Sequence, residues 1–95
     1  MTDSDIRLPS PKTLQHASKI CIVEDRPIML DYWAQSLEKK ILIGVKEDGD
    51  KLLVKSEDEY TSTIVKIFKV EEDYIILTEN SLYIVDAGCP SKRIS

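Results

Sequence analysis

Residues 62–88 read STIVKIFKVEEDYIILTENSLYIVDAG, three apolar runs separated by two short polar interruptions. Ile, Val, Leu and Tyr dominate each run, the β-branched and aromatic types that fit a pleated sheet. The runs do not alternate cleanly between apolar and polar, so strands covered on both sides suit them better than a half-exposed ribbon. Glu71-Glu72-Asp73 makes the first turn, and Thr78 to Ser81 make the second, in which Asn80 tolerates a left-handed conformation. The expected result is a three-stranded antiparallel meander.

Upstream, KKILIGVKEDGDKLLVK sets two further apolar runs around Asp48-Gly49. Glycine there can take the positive φ of a tight hairpin, and Ile41, Ile43 and Val45 then share one face. KICIV, residues 19–23, reads as another short strand with Ile20 and Ile22 on one side and Cys21 and Val23 on the other. Residues 27–38 admit two readings. Leu30, Trp33, Ala34 and Leu37 form a helical stripe, with Asp25 placed to cap, Pro27 at the start and Lys39-Lys40 at the end. Ile28, Leu30, Tyr32 and Ala34 also alternate with Met29, Asp31, Trp33 and Gln35. The strand is preferred, because the rest is β and an edge position accommodates Pro27.

The pattern therefore predicts a mainly β fold, a small antiparallel barrel or sandwich of six to seven short strands, with one helix if residues 27–38 adopt it. Residues 1–11 are expected to be a flexible N-terminal arm, 12–89 a single compact β domain, and 90–95 a short basic tail. Ser10 and Pro11 open at most one short helical turn through Ala17.

A 95-residue chain of this kind buries only about 60 to 65% of the surface it exposes unfolded, so its core is thin. Its net charge of −4 opposes a phosphate backbone, and nucleic acid is not an expected partner. No apolar stretch has signal-peptide or membrane-spanning length, which points to an intracellular protein without a membrane partner. Cys21 and Cys89 lie far apart in sequence with no nearby histidine. They read as free thiols in a reducing compartment, with a disulfide open to them only if their segments are neighbours.

No phosphate-loop, dinucleotide or zinc signature occurs, and no cofactor or metal is expected. The single histidine, His16, precedes the apparent core. Glu24, Asp25 and Asp31 are the carboxylates that interrupt hydrophobic segments, yet capping and local ion pairing account for the first two. Asp31 sits among apolar neighbours and would need Arg26, Lys39 or a tyrosine hydroxyl as partner. No catalytic residue is assigned, and the chain is not expected to be an enzyme.

Three acidic blocks, Glu47/Asp48/Asp50, Glu57/Asp58/Glu59 and Glu71/Glu72/Asp73, fall at turns. Solvated turns explain them; the rival reading projects them together as an acidic rim for a basic partner. Ser56-Glu57-Asp58-Glu59 has the form of an acidophilic kinase site or of a capping box opening a helical turn, and the cap is preferred. The thin core and the aromatic-rich segment favour burial between subunits. The expected function is a non-enzymatic structural or assembly protein that forms a homodimer through Ile28, Leu30, Tyr32, Trp33 and Leu37. The alternative is a small-barrel reader of a basic or methylated peptide, with Tyr32, Trp33 and Tyr60 as its aromatic cage.

The segments IVEDRPIMLDYW, KLLVKSEDEYTSTI and TENSLYIV resemble small uncharacterised proteins of large nucleocytoplasmic DNA viruses of the Marseillevirus type, over residues 20–86. The resemblance implies production in an infected amoeba, in host cytoplasm or nucleus, with viral or host proteins as partners and the virion as a further location. It carries no assigned biochemical role and fixes no site residue.

Overall fold

The computed structural model describes residues 6–94. Its element order is α1 (Pro11–Glu24), β1 (Ile28–Met29), α2 (Trp33–Leu37), β2 (Leu42–Val45), β3 (Lys51–Ser56), β4 (Glu59–Tyr60), β5 (Ile64–Val70), β6 (Asp73–Thr78), β7 (Leu82–Asp86) and β8 (Ser91–Arg93). The strands form two four-stranded sheets, ordered β1-β7-β6-β5 and β4-β3-β2-β8. We call them the inner and outer sheets. The fold is mainly β, as the sequence predicts, and of the two expected architectures it is the sandwich. Eight strands replace the expected six or seven, two of them only two residues long.

The meander of β5, β6 and β7 forms as its sequence pattern requires, antiparallel throughout. Side chains alternate along β6 and β7. Tyr74, Ile76, Tyr83 and Val85 meet Ile41, Ile43 and Leu53 of the outer-sheet half. Ile75, Leu77, Leu82 and Ile84 pack instead with Ala17, Ile20 and Cys21 of α1 and with Trp33. The central strands β6 and β7 are thus buried on both faces, which is why they are almost wholly apolar. The order of layers is helix, inner sheet, outer sheet, and the overall extents of 38 × 35 × 21 Å match three layers about 10 Å apart.

The hairpin of β2 and β3 turns through Asp48-Gly49, with Gly49 at φ 95° and the Gly49 N–H donating to the Lys46 carbonyl at 3.0 Å. The turn between β6 and β7 works differently from its sequence reading. Asn80 is not left-handed; the Thr78 hydroxyl accepts from the N–H groups of Asn80 and Ser81 at 3.2 and 3.0 Å. At the β5–β6 turn Glu71 takes the positive φ, 54°.

Three expectations are corrected. KICIV is not a strand but the last turns of α1, a helix of 14 residues rather than one turn. Thr13, Ala17, Ile20 and Cys21 fall at i, i+4, i+7 and i+8 and face the inner sheet, while Ile22 and Val23 are left 79% and 69% exposed. A β-branched run costs a helix only a few tenths of a kcal/mol per residue, less than burial of the stripe returns. Ser10 caps the helix by accepting from the Thr13 N–H at 3.0 Å, and Asp25 ends it in the left-handed conformation. Residues 27–38 are neither one strand nor one helix. Ile28–Met29 pair in parallel with β7, and the helical stripe takes over only from Trp33. Residues 91–93 are not a free tail but β8, parallel to β2.

Within the expected N-terminal arm, residues 6–10 belong to the fold, and residues 1–5 lie outside the described residues. Asp73 explains the attachment. Its carboxylate is fully buried and every face of it is occupied: Oδ1 accepts from Arg7 Nη1 at 2.9 Å, and Oδ2 from the Ser10 N–H at 3.0 Å and the Thr13 hydroxyl at 2.7 Å. Arg7 also pairs with Asp86, and its guanidinium lies 5.0 Å from the Trp33 ring centroid. The Trp33 indole N–H donates to the Arg7 carbonyl at 2.7 Å. One network therefore ties residues 7–13 to β6, β7 and α2.

Removing Arg7 leaves a buried charge without its counter-ion. Arg7→Ala is predicted to lower unfolding free energy by about 3 kcal/mol, measured by urea denaturation. Lys40→Ala, which breaks only the exposed pair with Glu38, is predicted to leave it nearly unchanged.

Candidate functional site

The carboxylates singled out by sequence do not gather. Glu24 pairs with Arg26 at 3.3 Å, Asp25 caps α1, and Asp31 is exposed rather than set among apolar side chains. His16 lies on the solvent side of α1. Among the described residues no group of three or more His, Cys, Asp or Glu is placed to hold a metal ion. Among the described residues the one buried carboxylate is Asp73, joined through Arg7 to the half-buried Asp86, which sequence reading missed by assigning Asp73 to a solvated turn. Burial opposes the charge on Arg7, but its hydrogen bonds to Asp73 and Asp86 outweigh this and raise its pKa above the ordinary value. With both Asp73 oxygens engaged, the cluster ties the N-terminal segment to the sheet.

The three expected cage aromatics are not brought together. Tyr32 and Trp33 are 3% and 6% exposed and face different halves of the core. Each already has a cation from this chain over its ring, Lys55 at 5.2 Å and Arg7 at 5.0 Å. Tyr60 is 61% exposed and pairs in register with Val54, on the face of the outer sheet opposite to Leu53 and Tyr32. The same burial removes Tyr32 and Trp33 from the expected dimer contact. Ile28 and Leu37 are half-buried against the helix-side core, and Leu30 alone of that set stands out, 51% exposed. Nor do the acidic blocks converge, since the β2–β3 and β3–β4 turns lie at opposite ends of β3.

What the structure does assemble is a groove on the outward face of the outer sheet, with a volume of about 670 Å³. Leu42, Leu52, Val54, Tyr60 and Ile94 make its floor, with Lys40, Lys46, Lys55, Ser56 and Glu57 around it. The alternation that sends Ile43 and Leu53 into the core sends Leu42, Leu52 and Val54 outward. Gly44 lies between them; a Cβ there would stand 2.7 Å from the Cδ1 end of the Ile94 side chain and 3.1 Å from Val54 Cγ2, so Ile94 would have to move. Among the described residues no helix packs over this face. The floor is only partly open: Leu52 is 9% exposed, Leu42, Val54 and Ile94 are half-buried, and Tyr60 alone stands out at 61%.

Its charges are arranged by position. Lys40 pairs with Glu38 at 3.1 Å, and Lys55 with Glu59 at 3.6 Å. Among the described residues Lys46 and Glu57 have no ion-pair partner. Lys46 follows the last residue of β2 and Glu57 the last residue of β3. Because the two strands are antiparallel, these lone charges stand at opposite ends of the groove, roughly 20 Å apart along the strands.

No protein-family model, curated protein or solved structure matches the chain. Among the described residues no helix is long and apolar enough to cross a membrane.

The two cysteines are free and sit on different sides of the inner sheet, Cys21 on α1 and Cys89 in the core between the sheets. Burial, and secondarily Asp86, push the Cys89 thiol up to about 11, against a small opposing effect of Lys39. Its Sγ donates to the Ile41 carbonyl at 3.1 Å. At pH 8 a thiol-specific chromogenic reagent is therefore predicted to modify Cys21 in the native protein, and Cys89 only after unfolding. Tyr32 is shifted likewise. Burial, then Tyr83, Glu59 and Asp31, push it up to about 12 from 10.0. Its neutral form is the one the fold favours, so the stability it contributes is full below pH 10 and is lost as pH rises towards 12. Burial, then Asp31, also raises Tyr83; alkaline titration of tyrosine absorbance is predicted to lose a late-ionising phenol in Tyr32→Phe, with unfolding moved to higher pH.

Proposed function

We propose that this chain is a non-enzymatic assembly protein that forms a homodimer through the outward faces of its outer sheets. The observation that carries the reading is the half-buried apolar groove floored by Leu42, Leu52, Val54, Tyr60 and Ile94, with Lys46 on its rim at one end and Glu57 at the other. A two-fold axis lying across the strands sets Lys46 of one copy against Glu57 of the other, twice, while the floors stack on each other. Such a surface is self-complementary, which an isologous contact requires. A face within extents of 38 × 35 Å has room for the roughly 800 Å² per partner of a standard interface.

Other modes of self-association are less favoured. The seven-residue β5 is an edge of the inner sheet, but Lys66 and Lys69 are exposed along it and its register shifts beside Val65. These are devices that oppose edge pairing. A basic or methylated peptide, the alternative ligand, would meet three lysines around the groove and no assembled cage. Taken with the resemblance to giant-virus proteins, the reading extends to an assembly component of a viral particle or of the infected cell.

Sedimentation equilibrium at low salt is predicted to give a dimer at high micromolar concentration. Lys46→Glu and Glu57→Lys should each weaken it about five- to tenfold, and the double exchange should restore it, since both pairs are remade with sign reversed. A monomer at every concentration contradicts the reading. Weakening by Lys46→Glu, tightening by Glu57→Lys and no restoration would assign the face to an acidic partner instead.

A further inference from the structure

We propose that Ser56 is a phosphoryl-acceptor site for an acidophilic protein kinase, and that the phosphate it receives strengthens contact through the outer-sheet groove. Ser56 is exposed and is followed directly by Glu57, Asp58 and Glu59, three carboxylates that a basic kinase cleft reads by charge. The expected helical cap does not form there. Ser56 pairs in register with Glu59, and the two close a two-residue hairpin loop in which the Ser56 hydroxyl oxygen accepts from the Asp58 N–H at 3.2 Å.

This hairpin is built to open. A two-residue loop matches the twist of its strands when its central residues take positive φ, and neither Glu57 nor Asp58 does. The register shifts between Val54 and Ser56, and β4 is a two-residue edge strand, Glu59–Tyr60, exposed at both positions. Residues 56–60 are exposed, and the extended conformation a kinase cleft takes up costs the Lys55–Glu59 pair and the pairing of Ser56 with Glu59. Ser18 and Ser91 are also exposed, but basic residues follow them, Lys19 in one case and Lys92-Arg93 in the other; Thr13 and Thr78 are fully buried, and Ser10 is engaged with the Thr13 N–H and hydroxyl.

The chemistry is ordinary phosphoryl transfer from ATP. The Ser56 oxygen attacks the γ-phosphorus, the bond from that phosphorus to the β–γ bridging oxygen breaks, ADP leaves with the electron pair, and the hydroxyl proton passes to the kinase base. The product carries nearly two negative charges at physiological pH. They are added at the groove end that holds Glu57, on the rim shared with Lys40 and Lys55. In the homodimer reading, on which this second half rests, that end faces Lys46 of the other copy, and the two-fold axis counts the gain twice.

The purified chain, incubated with an acidophilic Ser/Thr kinase and magnesium-ATP, is expected to gain one phosphate, placed on Ser56 by fragment mass spectrometry. Ser56→Ala should gain none, and Glu57→Ala/Asp58→Ala should be phosphorylated far more slowly with Ser56 intact. Sedimentation equilibrium at low salt should then show the phosphorylated protein dimerising about tenfold more tightly, an effect removed by Lys46→Glu. No incorporation, or incorporation elsewhere, overturns the acceptor assignment whatever the oligomeric state. Phosphate on Ser56 of a protein that dimerises equally well with and without it overturns the regulatory half. Phosphate on Ser56 of a chain monomeric in both states supports the acceptor assignment and overturns the dimer reading together with its regulation.

Discussion

A carboxylate with no access to water sits at the junction of three elements, and the rest of the structure is arranged around meeting its needs. Asp73 begins β6 on the helix-facing side of the inner sheet. A charge there is tolerable only if every lone pair finds a donor, and the donors come from residues 7–13. Satisfying Asp73 therefore fixes the N-terminal segment, starts α1 at Ser10, and lays that helix over Ile75, Leu77, Leu82 and Ile84. Polar interaction sets the position, and apolar burial then supplies most of the stability.

The consequence reaches the opposite side of the molecule. Two sheets have four faces; two of them pack on each other, and the chain has one long helix with which to cover a third. Attachment at Asp73 commits that helix to the inner sheet. The outward face of the outer sheet keeps the alternation of a strand with two buried sides, with Leu52 buried and Leu42 and Val54 half-buried, but it has the Ile94 side chain where the inner sheet has a helix. An apolar face without a layer invites one from another molecule, and the placement of Lys46 and Glu57 makes a second copy a complementary occupant.

Much of the sheet structure was legible in the sequence and much of the site was not, for physical reasons that differ by residue. The meander and the Asp48-Gly49 hairpin are local: their strands pair with sequence neighbours, and periodicity reports them. KICIV misled because a β-rich composition was weighed without the stripe that runs from Thr13 to Cys21, which shows only when Ser10 is taken as the start of a long helix. Residues 27–38 satisfied both periods because they use both, a bridge to β7 and then a helix. Asp73 was hidden by its company, Glu71 and Glu72, although it is in phase with Ile75 and Leu77; that parity was the available signal. Tyr32 and Trp33 were read as a contact surface because they are adjacent, yet adjacency in this segment sends them to opposite sides of the inner sheet. The groove was beyond local reading, since it depends on which sheet the helix chooses and on β8 returning beside β2.

The central proposal is that the outward face of the outer sheet is where this chain meets another copy of itself. Isotope-filtered nuclear Overhauser spectroscopy on a mixed sample of labelled and unlabelled protein tests it most directly. The account predicts intermolecular contacts among the Leu42, Leu52 and Val54 methyl groups and the Tyr60 ring. Intermolecular contacts confined to Ile22, Val23 and Leu30, or none in a sample concentrated enough to associate, would contradict it.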